Sequence, residues 1–290
     1  DILSLSDHLY DIYIKNSLQE SFKIKKGEDY LKSRVERTNN EFSSSYADKQ
    51  SIGNSVSKKH KKMLTIFSST EAEMFLVKAI IDARFFNTQF SIFEKILNYL
   101  KDKDIDIVLR VHPNSIKDNA HRDEMLSFKK RYKNLVVLDS ISTVDSYQLI
   151  KDSDYIFTCG STITAESMFL MKQVFILGPS IFNKFLPEMH INSHDALEQI
   201  LYKIANDKKL NIDLNSNYTK SSAWAFALLN LGVNPKYVKG LSYTNSILVR
   251  NNKETTIKPK KIFIILSILF EVPSRFSRGI RVFKENKKLR

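Results

Sequence analysis

Three short stretches hold residue types that could do chemistry on a charged ligand. The first is Arg110-Val111-His112-Pro113-Asn114. A proline biases the residue before it toward extended backbone. His112 is therefore expected to stay in line with a preceding strand and carry its imidazole past the strand's end. There it could donate to phosphate oxygens, more strongly when protonated. Arg110, two residues back, shares its pleat face. The same residues also fit an ordinary turn with an exposed histidine. The second stretch is Gly160-Ser161-Thr162, followed by Glu166. Gly160 lets the backbone turn sharply. Ser161 or Thr162 is expected to cap a helix whose first N–H groups would attract an anion such as phosphate. Glu166, four residues after Thr162, falls on the same helical face but is out of register for a capping box. It could accept hydrogen bonds from a sugar diol, or simply suit the helix dipole. The third stretch is Thr143-Val144-Asp145-Ser146-Tyr147, where Tyr147 either packs against a base or fills the core.

Positioning these groups falls to alternating strands and helices. Strand patterns occur at 63–69, 106–113, 135–140, 154–160 and 173–180, and helix patterns at 89–101, 121–133, 144–153, 162–171 and 194–207. Alternation of this kind predicts right-handed βαβ units and a parallel sheet. In open parallel sheets the functional crevice lies beyond the carboxyl ends of the strands. The residues to watch are then Ser68-Ser69-Thr70, His112-Pro113-Asn114, Asp139-Ser140, Gly160-Ser161-Thr162 and Gly178-Pro179-Ser180. All five endings are polar or Gly/Pro. No GxGxxG and no Walker A sequence occurs, so the usual dinucleotide and P-loop readings lack support.

The flanks differ from this core. Residues 1–61 read as a helical and linker segment, the end of a missing N-terminal domain. The stretch 38–62, rich in Ser, Asn and Lys, has no apolar period. Residues 62–240 form the Rossmann-like domain and 241–290 a basic amphipathic segment. From Lys253 to Arg290 there are eleven Lys/Arg against three Glu, so eight of the thirteen net positive charges sit there. IFIILSILF (262–270) is too short to span a bilayer, which needs about 20 apolar residues. After it, Phe276, Ile280 and Phe283 fall on one helical stripe and Arg275, Arg278 and Arg281 on another. Residues 262–290 are thus expected to lie on an anionic membrane surface; a solvated basic terminus is the plainer alternative. No recognition motif supports nucleic acid. The lone cysteine, Cys159, excludes an intramolecular disulfide and reads as a buried inert thiol. No Cys/His spacing suits a metal.

The clusters LRVHPN, STVDSY and GSTITAESMFLMKQVFILGPS, in this order, together resemble the C-terminal, donor-binding half of GT-B glycosyltransferases of the bacterial capsular-polysaccharide type. His112-Pro113 is similar to the HP motif of bacterial sialyl- and polysialyltransferases and of teichoic-acid polyol-phosphate transferases. The resemblance covers about 62–180 closely. It implies an α/β chain, a GT-B-like C-terminal Rossmann-type domain with a parallel sheet, helical flanks and a basic C-terminal helix. It also implies a nucleotide sugar, CMP-linked, as substrate with no cofactor and no metal, and inverting transfer to a glycan or lipid-linked glycan acceptor. His112 would be catalytic, stabilising the leaving phosphate, and Gly160, Ser161 and Thr162 would bind that phosphate. Glu166 would hold the ribose, with Ser140 and Tyr147 at the ribose or base. Ser68, Ser69, Thr70, Arg110, Pro113 and Asn114 would line the cleft. The expected location is the cytoplasmic face of the membrane.

Two departures stand out. Enzymes of this type carry their catalytic base on an N-terminal Rossmann domain, for which there is no room before Lys62, and the acidic-acidic-Gly motif of the sialyltransferases is missing. Since the chain starts at Asp1 without Met, it is expected to be part of a longer protein. CDP-glycerol or CDP-ribitol polyol-phosphate transfer, and a catalytically silent nucleotide-binding partner of a separate transferase, remain alternatives.

Overall fold

The computed structural model describes residues 2–38, 49–70, 88–117, 119–231, 238–240, 246–250 and 253–256. The stretch IFIILSILF and the basic segment after it lie outside the described residues. The chain divides into two compact units, Asp1–Gly232 and Val233–Arg290.

The first unit is an α/β fold around six parallel strands: β1 (Lys62–Phe67), β2 (Ile105–Arg110), β3 (Leu135–Leu138), β4 (Tyr155–Thr158), β5 (Gln173–Leu177) and β6 (His190–Ile191). Five coincide with the sequence patterns. The sixth has two residues, too few to leave a periodic signal. Their order is β3-β2-β1-β4-β5-β6, which is the doubly wound arrangement whose strand order reverses between β1 and β4.

Strand parity divides the side chains between two cores. Leu64, Ile66, Ile107, Leu109, Phe157 and Leu177 face one way, against α3 (Gln89–Leu100) and the later helix α7 (His194–Ala205). Met63, Phe67, Val108, Ile156, Val174 and Ile176 face the other. That second face is covered by α5 (Ser146–Asp152), α6 (Ile163–Phe169) and α8 (Leu214–Leu229). Helix α4 (Asn119–Ser127) precedes β3 and gives way to a 3-10 turn at Phe128–Lys130, where the sequence pattern predicts one continuous helix.

The N-terminal helices α1 (Ile2–Lys15) and α2 (Glu20–Val35) pack within this same unit. Leu9, Tyr13 and Leu31 are buried in the second core beside Trp224 and Phe226 of α8. Gly27 shows how close α2 comes: a Cβ there would sit 1.8 Å from the Ser222 carbonyl oxygen. No described helix is long and apolar enough to cross a membrane. The second unit contains an antiparallel meander, β7 (Val238–Gly240), β8 (Ser246–Arg250) and β9 (Lys253–Thr256).

Candidate functional site

A cleft of about 480 Å³ opens where the strand order reverses, and most of its lining comes from the carboxyl ends of β1, β2 and β4. Ser68, Ser69, Arg110, His112, Pro113, Asn114, Tyr147, Gly160, Ser161, Thr162 and Glu166 all line it. These eleven come from separate stretches of the sequence.

His112 is held from both sides. Its backbone N–H donates to the Ser68 hydroxyl at 2.9 Å, tying the tip of β2 to the tip of β1. Pro113 then opens a 3-10 turn over Pro113–Lys117, in which the Asn114 N–H donates to His112 Nδ1 at 3.1 Å. The turn expected for this stretch is formed, and the ring that closes it lines the cleft. Because Nδ1 accepts, a neutral imidazole carries its hydrogen on Nε2 and is a donor there.

Arg110 ends β2 and is 3% exposed. Its Nη1 and Nη2 donate to the carbonyls of Val144 at 3.3 Å and Ser142 at 3.0 Å, and its buried Nε has no hydrogen-bond partner. Burial pushes its pKa down to about 10, against the pull of Asp145 and Asp139. The guanidinium thus supplies a buried positive charge to the cleft wall and braces the turn that starts α5.

Gly160 follows β4 with φ +79°, a conformation that L side chains rarely adopt. A Cβ on it would also lie 2.4 Å from the Ser180 Cβ. Ser180 in turn shares a hydrogen bond with His190 Nε2 at 2.8 Å, and His190 Nδ1 meets the Leu186 carbonyl at 2.8 Å. The expected hydroxyl cap on α6 is not formed. Thr162 occupies the N-cap position at φ −57°, ψ −24° with no side-chain cap bond. A capping hydroxyl needs extended backbone at that position, and Thr162 is already helical. The N–H groups of Thr164 and Ala165 bond back to the carbonyls of Ser161 and Thr162. What this loop offers the cleft is its two side-chain hydroxyls rather than a row of helix N–H groups.

Glu166 lines the cleft but is already engaged: it is 2% exposed, and its Oε1 accepts from Arg34 Nε at 2.5 Å. Burial opposes the Arg34 charge, and the facing Glu166 carboxylate more than offsets it, so the Arg34 pKa is raised. Tyr147 is buried beside them, its phenol pushed up by burial and then by the Glu166 charge.

Two expected residues do not reach the cleft. Ser140 follows β3, the edge strand, away from the reversal point; its hydroxyl donates to Asp139 Oδ1 at 3.1 Å. Thr70 is also absent from the lining. The N–H and carbonyl of Ser69, which does reach the lining, are both bonded to Gln89 of α3.

Arg34 and Gln50 line the cleft and had no local signal. Arg34 sits on a polar helix, and Gln50 in the stretch read as linker. That stretch is stitched onto the turn before α5: Ser51 N–H donates to the Thr143 carbonyl, Gly53 N–H to Asp145 Oδ2, and Asp145 N–H to the Asn54 carbonyl. Among the described residues, no group of three or more His, Cys, Asp or Glu side chains could hold a metal ion.

No protein-family model matches the chain, and no curated protein does. Among solved structures it is similar to the β-Kdo 2,4 transferase KpsC of Thermosulfurimonas dismutans, with 13% identity, a TM-score of 0.45, and coverage of 84% of this chain and 63% of that one. It is also similar to a co-structure of S. aureus MnaA with UDP, with 16% identity, a TM-score of 0.41, and coverage of 72% and 55%. A third is the wall teichoic acid polymerase TagF soaked with CDPG, with 17% identity, a TM-score of 0.34, and coverage of 68% and 40%. The chain spans less than two thirds of the length of each of these.

Proposed function

We propose that the chain carries the donor-binding domain of a glycosyltransferase of bacterial capsule or surface-polysaccharide synthesis. Its cleft takes a cytidine-nucleotide-activated sugar, and transfer goes to a glycan acceptor. The observation behind this reading is that His112 and the Gly160–Ser161–Thr162 loop, far apart in sequence, line one cleft at the point where the strand order reverses. When the bond between the sugar's anomeric carbon and the phosphate oxygen breaks, negative charge collects on the phosphate. Nε2–H of His112 and the hydroxyls of Ser161 and Thr162 are donors positioned to receive it, and donors fixed in advance need no reorganisation during the reaction. The Arg110 charge behind them favours the same anion. The group that deprotonates the acceptor is assigned outside this chain, as is the surface on which the acceptor rests. Contact of residues 262–290 with an anionic membrane belongs to the same proposal.

The test is turnover by the full-length protein with a CMP-linked sugar and, in parallel, with a CDP-linked polyol. Product analysis separates glycosyl from polyol-phosphate transfer. His112→Ala is expected to lower turnover by ~10²–10³, as for removal of one preorganised oxyanion donor. Turnover at the unmodified rate would refute the phosphate role. CMP binding with no transfer of either donor would leave a silent nucleotide-binding protein.

A further inference from the structure

The side-chain amide of Gln50 is oriented by partners that leave no ambiguity. Its Oε1 receives the Ser146 N–H at 2.9 Å and Arg37 Nη2 at 3.4 Å. Both partners are donors that cannot accept, so the arm they meet is the carbonyl and the other arm is the NH2. The clamp is itself secured. Arg37 Nη2 also donates to Asp145 Oδ1 at 2.6 Å, and Asp145 accepts from Gly53 N–H at 2.9 Å and Tyr147 N–H at 2.9 Å. The NH2 of Gln50 has no protein acceptor among the described residues, yet it is not one of the buried polar atoms left without a partner. Gln50 lines the cleft on the same wall as Ser146 and Tyr147. Gln50 thus brings to the cleft lining an amide whose carbonyl is fixed by protein donors and whose NH2 is left to solvent or to a ligand acceptor.

We infer that Gln50 determines nucleotide specificity, donating from its NH2 to the O2–N3 edge of a cytosine base. This rests on the reading that the cleft takes a cytidine nucleotide. Cytosine N3 is an acceptor, whereas uracil N3 carries a hydrogen. A fixed donor at that position pairs with the first and leaves two donors opposed with the second. Sites built around a required hydrogen bond discriminate far more strongly than apolar pockets do. Gln50 lies before β1, so this selectivity is supplied by the segment bonded to the turn before α5 rather than by the sheet itself.

Calorimetric titration of the chain with CMP and with UMP tests it. Unmodified protein is expected to favour CMP by roughly tenfold or more. Gln50→Glu keeps an oxygen for Ser146 and Arg37 but turns the cleft-facing donor into an acceptor. Its added charge weakens both nucleotides, so the CMP-to-UMP ratio is the readout, and it should fall by about tenfold or reverse. Gln50→Leu adds no charge; it should weaken CMP while sparing UMP. A ratio near one in the unmodified protein, or a ratio unchanged in both variants, overturns the role of Gln50. Protein that binds neither nucleotide overturns the cytidine reading itself, and the inference with it.

Discussion

The His112 ring closes a turn by accepting the Asn114 N–H at Nδ1, so the position of the ring is set by that hydrogen bond. The Arg34–Glu166 pair follows a similar logic at higher stakes. A carboxylate that is 2% exposed cannot be left without its cation, because loss of one partner from a buried pair costs roughly 3–5 kcal/mol. Arg34→Met is therefore expected to destabilise the protein by that amount in urea denaturation, and the double variant Arg34→Met/Glu166→Gln to recover most of it. Near-additive losses in that cycle would mean that the pair is not coupled. Arg34 and Glu166 are 132 residues apart, and neither has a neighbour in sequence that announces the other. Glu166 was legible as a cleft residue from its spacing to Thr162, but its partner was not.

At the scale of elements, the arrangement depends on α2 pressing against α8. Polar composition and a weak apolar period make the N-terminal region read as peripheral, yet Leu9, Tyr13 and Leu31 are buried by it. Gly27 permits the contact, since its missing side chain leaves room for the Ser222 carbonyl. Gly27→Ala must move one helix, because the obstructing atoms are backbone. Overpacking of this kind costs about 1–3 kcal/mol or more. Calorimetric melting of the variant should show a clearly lowered Tm, and because Arg34 rides on the same helix, nucleotide affinity should fall as well. An unchanged Tm would mean that α2 is only loosely attached. The strands were far more legible than this contact. Each of the five that coincide with the sequence patterns is a local run of four to six residues, whereas a helix–helix crossing depends on which faces meet.

For the whole molecule, acid should weaken the fold in a window set by His190. The ring is buried, and that burial pushes its pKa below the ordinary 6.5 despite the nearby Glu188 charge. An unfolded chain therefore takes up a proton near pH 6.5 that the folded chain still refuses. The stability associated with neutral His190 is fully present above pH 6.5 and is lost as pH falls through the depressed folded value. For one proton the slope cannot exceed about 1.4 kcal/mol per pH unit. Urea denaturation between pH 7.5 and 5 should show this decline, reduced in His190→Gln. An equal decline in the variant would assign the protons to other groups. Because His190 holds Ser180, and Ser180 packs against Gly160, the same protonation should loosen the Gly160 loop and weaken CMP binding in parallel.

By itself the sequence determined the parallel sheet and the polar or Gly/Pro character of its strand tips. Alternation of apolar residues is a local consequence of side-chain direction, and strand tips in such sheets converge wherever they occur in the chain. Tertiary structure decided which tips stand beside the reversal point. It left Ser140, beyond the edge strand, and Thr70 outside the lining. It also decided that Glu166 faces Arg34, that Thr162 is helical and makes no cap bond, and that Gln50 lines the cleft. Those outcomes rest on contacts between segments tens of residues apart, which one-dimensional periodicity does not encode.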